Sequence, residues 1–213
     1  MTLGTEEPRR FAAYALGTLI RPGATFERLL AEPRPIAYGA TAILLVGALY
    51  TVTTVIGYLN GFGAYTPPFL PIAQKDYYLF QPFFTIPIFW LCTLVCAGVV
   101  QFFSAFAGGR GKFENGVAVA GFSLFMTIVP LMWIPETIMF AFNLHLPGEE
   151  LVGTIGLDPA VDLIFRQGGT VLWQLAVTMI GVRKVQRLSW GKTLVIGLMG
   201  FVAYFLVFWT YIR

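Results

Sequence analysis

Residues 77–109 read YYLFQPFFTIPIFWLCTLVCAGVVQFFSAFAGG, thirty-three positions without one charged side chain. A helix crosses the hydrocarbon of a bilayer in about 20 mostly apolar residues at about 1.5 Å each. This stretch is long enough to span. Four more uncharged runs lie at 35–74, 115–135, 167–182 and 193–212. Hydrophobic residues make up 57% of the 213-residue chain and charged residues 12%, about half the usual soluble share of roughly 25%. Mean hydropathy is +0.73. A water-soluble globule of this size could not bury so much apolar side chain, whereas a bilayer accepts it.

The runs predict an all-α, polytopic membrane protein with five transmembrane helices, at 37–59, 83–107, 117–140, 161–182 and 194–211. Residues 1–36 are expected to form a cytoplasmic, interfacial amphipathic segment ahead of a five-span domain at 37–213. In that segment Phe26, Leu29 and Leu30 share one helical face, and Phe11, Tyr14, Ala15 and Leu19 make a similar stripe upstream. A partner protein could use the same stripe. The opening MTLGTEEPRR is acidic as well as basic and leads to no small-residue cleavage site, so no cleavable signal is expected. The connector at 60–82 is rich in Pro and Gly, and its Phe62, Tyr65, Phe69, Tyr77, Tyr78 and Phe80 suit an interfacial aromatic belt.

The basic residues set the direction. With five spans and a cytoplasmic amino terminus, eleven of the fourteen Lys and Arg lie inside: Arg9, Arg10, Arg21, Arg28, Arg34, Arg110, Lys112, Arg183, Lys184, Arg187 and Lys192. Lys75 and Arg213 stay outside, with Arg166 just within the fourth span. The positive-inside rule therefore predicts an external carboxyl terminus. The same rule accounts for the net charge of +3 without nucleic acid as a partner.

Charge at membrane depth costs about 2.5–3.5 kcal/mol on insertion scales, so each such group asks for a reason. From Asn115 to Pro135 a straight helix would run about 31 Å and deliver Glu136 to the outer interface. A kink at Pro130 and Pro135 would instead turn Glu136 into the bundle. Asp162 and Arg166 are spaced i,i+4 and suit an anchored ion pair. Together Glu136, Asp162 and Arg166 would make a polar cluster for an ion or a headgroup. Arg183, Lys184, Arg187 and Lys192 form a basic cytoplasmic hairpin suited to anionic lipid.

Other polar groups read as structural. Gln101 and Gln174 suit interhelical hydrogen bonds. Gly108-Gly-Arg-Gly-Lys112 lacks the spacing of a phosphate loop and reads as a tight turn. Gly57 and Gly61 match the small-xxx-small pattern only at a helix end. Cys92 and Cys96, a turn apart on one helix, suit free packing thiols. One histidine, His145, supports neither a metal centre nor a catalytic set, so neither enzyme activity nor a cofactor is expected.

Three stretches in order resemble the Yip family, the Ypt/Rab-interacting membrane proteins, in its prokaryotic branch. They are Ile20-Arg-Pro-Gly-Ala-Thr-Phe-Glu-Arg-Leu29, then Gly108-Gly-Arg-Gly-Lys-Phe113 leading to Val119-Ala-Gly-Phe-Ser123 and Pro130, and finally Trp173-Gln-Leu175 followed by Ile180-Gly-Val-Arg-Lys-Val-Gln-Arg-Leu-Ser-Trp-Gly-Lys192. The resemblance implies a helical five-span bundle with a cytoplasmic amino-terminal region, in a bacterial or archaeal cytoplasmic membrane. Eukaryotic relatives bind prenylated GTPases in vesicle traffic. The Asp-Leu-Tyr-Gly-Pro motif of that branch is missing here, so GTPase binding is not carried over. The expected role is a non-enzymatic scaffold or accessory subunit, whose partners are the bilayer, anionic lipids, and another membrane protein or a second copy. The competing expectation is a small-solute, ion or lipid transporter using Glu136 and Arg166.

Overall fold

A computed structural model describes residues 11–64, 67–143 and 167–212. Every regular element among them is helical. Two short helices, α1 (Phe11–Ile20) and α2 (Pro22–Leu30), precede α3 (Pro35–Leu59) and α4 (Tyr77–Ala107). Next, α5 (Phe113–Phe125) passes through a 3-10 turn (Met126–Ile128) and a π turn (Val129–Trp133) into α6 (Ile134–Ala141). Last come α7 (Gly169–Gln186) and α8 (Trp190–Tyr211). Proline starts α2 and α3 at the first turn, where its missing N–H costs nothing. Gly108, at φ +87°, ends α4 in the left-handed region, and the Gly109 N–H reaches back to the Ser104 carbonyl at 2.7 Å.

Four stretches are long and apolar enough to cross a membrane: Pro35–Leu59, Gln74–Ala107, Phe113–Ala141 and Trp190–Tyr211. They match four of the five expected spans. Of the other, at 161–182, residues 161–166 lie outside the described residues. Its described part belongs to α7, which carries Gln174, Arg183, Lys184 and Gln186 and is too polar to count as a span by itself. Inside the bundle α7 packs against α5, α8 and α2, while α8 lies along α4, and α3 lies between α4 and α5.

The polarity of α3 is that of a helix in lipid. Its buried face runs Gly39, Ala42, Ile43, Val46, Gly47, Tyr50, Thr53, Thr54 and Gly57, at helical spacing. Leu44, Leu45, Val52, Val55 and Leu59 face outward. Polar side chains thus turn inward and large apolar ones outward, the reverse of a soluble protein. The inward hydroxyls fold back on their own helices. Thr53, Thr85, Thr93 and Thr127 each donate to the carbonyl four residues earlier, at 2.7–3.2 Å.

The bundle interior is packed with rings. Phe89 stacks on Phe125 at 4.5 Å between centroids, and Tyr204 meets Phe125 edge-on at 6.4 Å. Cys92 and Cys96 are buried there as free thiols. Tyr14, Phe26 and Leu29 belong to the same core, with Tyr14 5.2 Å from the Tyr38 ring. The amphipathic stripes expected at the headgroups are therefore turned onto the protein.

Two further expectations are corrected. The second span begins at Tyr77, not 83, because Pro82 lies in the second turn of α4 and does not break it. Phe62, Tyr77 and Tyr78 are not interfacial but are buried with Ala64, Met139 and Phe140 in a second small core, with the Tyr77 hydroxyl donating to the Tyr211 carbonyl at 2.8 Å. Phe69 and Phe80 are exposed, and Tyr65 lies outside the described residues. Close backbone approach does not depend on the Gly57/Gly61 pair, since Gly57 faces the Phe140 ring and nothing lies within 4 Å of a Cβ at Gly61. It occurs where α3 crosses α5. A Cβ at Gly39 would lie 2.5 Å from the Ala118 Cα, and one at Gly121 would lie 2.6 Å from the Gly39 carbonyl oxygen. Gly39→Val should therefore destabilise the bundle by about 2–3 kcal/mol in detergent unfolding. Gly98→Ala, on a helix position with nothing within 4 Å, should be neutral or up to about 1 kcal/mol stabilising.

Candidate functional site

Polar chemistry gathers at two places. The first lies where the third span breaks. Pro130 has no N–H, and the backbone around it tightens into the 3-10 turn and then widens into the π turn. Beyond the break, Glu136 in the first turn of α6 is 3% exposed. A straight helix does not describe this segment, and Glu136 is turned against α3. The Tyr50 hydroxyl donates to both carboxylate oxygens of Glu136, each at 3.3 Å. One turn along, the Trp133 indole N–H donates to the Thr53 hydroxyl at 2.8 Å, and the Thr53 and Thr137 hydroxyls are 2.7 Å apart. Thr137 donates to the Trp133 carbonyl at 2.8 Å. The network joins Tyr50 and Thr53, i and i+3 on α3, to Trp133, Glu136 and Thr137. Asp162 and Arg166 lie outside the described residues. Tyr50 and Thr53 were the sequence signal for this network, as polar groups one turn apart within an uncharged run.

The far side of the break is closed by Gln174. Its amide, buried on α7, donates to the Leu124 carbonyl and to the Tyr204 hydroxyl, the latter at 2.8 Å. Thr178 donates to the Ser123 hydroxyl at 3.3 Å. Gln174 thus has the interhelical role expected of it. Gln101 has it too, accepting from Gln186 on α7 at 3.0 Å, and it also donates to the Gly111 carbonyl at 3.2 Å. With the Gly111 N–H donating to Gln186 Oε1 at 3.1 Å, these bonds dock the Gly108–Lys112 turn on the end of α7.

The second place is a groove of about 590 Å³ between α2 and the end of α7. Glu27, Leu30 and Ala31 line one side, with Arg183, Lys184, Arg187 and Leu188 on the other. Three of the four basic residues expected at anionic lipid therefore converge. Lys192 does not line the groove but donates to the Ala107 carbonyl at 2.7 Å, satisfying the end of α4. The Lys184 ammonium pairs with the Glu27 carboxylate. The Arg183 guanidinium lies 4.5 Å above the centre of the Trp190 ring. Arg187 closes α7 at φ +55°, a left-handed position that a non-glycine residue holds under strain, and it is exposed.

The hydrogen bond from Lys184, and then its charge, hold the Glu27 carboxyl below its ordinary pKa. A lowered folded pKa contributes stability that is present above the unfolded carboxyl's range and is lost as pH falls through the folded value. Because the pair is solvated, the contribution is small. Carbon-13 NMR of the side-chain carboxyl should show Glu27 titrating below the usual glutamate range, and Lys184→Gln should return it to that range.

No curated protein and no solved structure matches the chain. The family model described as the Yip1 domain matches residues 16–212, from within α1 through the end of α8. That span takes in both the broken third helix and the groove. A bundle of apolar helices matched over nearly its whole length in this way belongs to the Yip1-domain family of membrane proteins.

Proposed function

We propose that the protein is a non-enzymatic scaffold or accessory subunit of the prokaryotic branch of this family, embedded in the cytoplasmic membrane. In this reading the chain crosses the membrane five times, and α7 belongs to the remaining span. The amino terminus and the groove face the cytoplasm and the carboxyl terminus faces outward. The partner is another membrane protein, a second copy of the chain, or lipid.

The observation that carries the reading is where the side chains are spent. The interior of the bundle goes to packing by Phe89, Phe122, Phe125 and Tyr204, while the outer faces of α3, α4 and α8 offer large apolar side chains. At the groove end, α1 adds Leu16 at 61% and Ile20 at 72% exposure. These outward faces give a partner helix, a second copy of the chain or lipid an apolar surface to pack on. Transport at Glu136 and Arg166 is the weaker alternative, since family membership lends it no support.

Cross-linking in native membranes, followed by mild-detergent purification, should recover a stoichiometric partner or homo-oligomer. A clean monomer would contradict the proposal. In a Cys92→Ala, Cys96→Ala background, a membrane-impermeant thiol reagent should label Asn143→Cys from outside. It should label Ser189→Cys only after permeabilisation.

A further inference from the structure

We infer that the groove between α2 and the end of α7 binds the phosphate of an anionic phospholipid, held by Arg183 and Arg187, with an acyl chain lying along α8. The inference rests on the orientation given above and names the lipid class that this end of the bundle recognises.

The donors are uncommitted. Lys184 is already paired with Glu27, whereas among the described residues no acidic side chain pairs with Arg183 or Arg187. The wall therefore carries three cations against one carboxylate. A guanidinium presents its donors as a planar fork that matches two oxygens of one phosphate, more specifically than an ammonium does. Trp190 holds the Arg183 fork from behind, so that arginine is oriented before any ligand arrives. Arg187 keeps a long cationic side chain at a left-handed turn where glycine would be relaxed, a cost that a binding role explains.

The surroundings favour a lipid over free phosphate. Leu30, Ala31 and Leu188 give the groove apolar walls. From its rim an apolar stripe descends α8 at i+4 steps through Trp190, Leu194, Leu198 and Val202, which are 46–48% exposed. Trp190 suits the headgroup level and the aliphatic residues suit the chain below it. One ligand with an anionic head and an apolar tail satisfies both surfaces.

Compensation of the α7 dipole by its last-turn basic residues is the competing account. It predicts a stability change on substitution but no selectivity among lipids. Native mass spectrometry of the full chain in detergent, titrated with phosphatidylglycerol or phosphatidylcholine, separates the two. Phosphatidylglycerol should be retained preferentially. Arg183→Gln with Arg187→Gly should weaken its binding about 25-fold, at about fivefold per basic residue. Glu27→Gln, which frees Lys184, should strengthen it about fivefold. Arg187→Gly alone relaxes the turn, so it reports on the site even if the double variant fails to fold. Its phosphatidylglycerol affinity should fall about fivefold with thermal stability retained. Equal retention of the two lipids, or wild-type affinity in folded Arg187→Gly protein, would overturn the site. Displacement of phosphatidylglycerol by inorganic phosphate or glycerophosphate at matched concentration would overturn the lipid assignment. Loss of lipid selectivity with the cross-linked partner intact rejects this site and leaves the scaffold reading standing. A monomer that still selects phosphatidylglycerol does the reverse.

Discussion

Inside a bilayer no water is at hand for a backbone or hydroxyl group left without a partner, and the bundle must meet each one itself. That constraint is most demanding at the break in the third span. There Pro130 removes a donor, and the turn changes from 3-10 to π within eight residues (126–133). The neighbouring helices add side-chain hydrogen bonds on both sides of the break. Gln174 on α7 reaches the Leu124 carbonyl and the Tyr204 hydroxyl, while Thr53 on α3 accepts from Trp133. The rest of the arrangement follows from this pair of clasps. They hold α7 between α5 and α8, and they fix the α6 turn that sets Glu136 against Tyr50.

What the residue order made legible was anything governed by length and charge alone. Uncharged runs located α3, α4, the broken third span and α8 to within a few residues, because transfer of apolar surface depends on composition rather than geometry. Convergence of Arg183, Lys184 and Arg187 was also readable, since one helical end carries all three. Geometry was less so. Whether Pro82 starts a span or sits inside one depends on helix phase, and so does the side to which Pro130 turns Glu136. The contact between Gly39 and Gly121 joins residues of different helices, so no local spacing announced it. Lys192 illustrates the same limit, because the Ala107 carbonyl it meets lies across the turn between two helices. The α7 segment is less apolar than the other four because Gln174 is spent inside the bundle, at Leu124 and Tyr204, while Arg183, Lys184 and Gln186 serve its groove end.

The two polar centres divide the molecule. Near the break, a carboxylate and several hydroxyls are enclosed by protein and joined to one another, which suits a role in holding helices in register. At the groove, guanidinium groups stand beside apolar walls and an exposed aromatic ring, with only Lys184 matched to a carboxylate. The break is turned to the interior of the bundle, and the groove is open to its surroundings. The groove end, where α1 and α2 are fastened to the bundle by Tyr14, Phe26 and Leu29, is thus where charged groups are presented outward. Membership of the Yip1-domain family covers both centres together.

The account turns on the Gln174 clasp. Its most direct test is the unfolding free energy of Gln174→Leu in detergent, read beside hydrogen exchange at Phe125 to Trp133. Leucine keeps the volume but leaves the Leu124 carbonyl and the Tyr204 hydroxyl unmet. The loss should be about 1–2 kcal/mol, with faster exchange confined to the break and to α7. Wild-type stability, with unchanged protection at the break, would mean that these hydrogen bonds do not hold the bundle together.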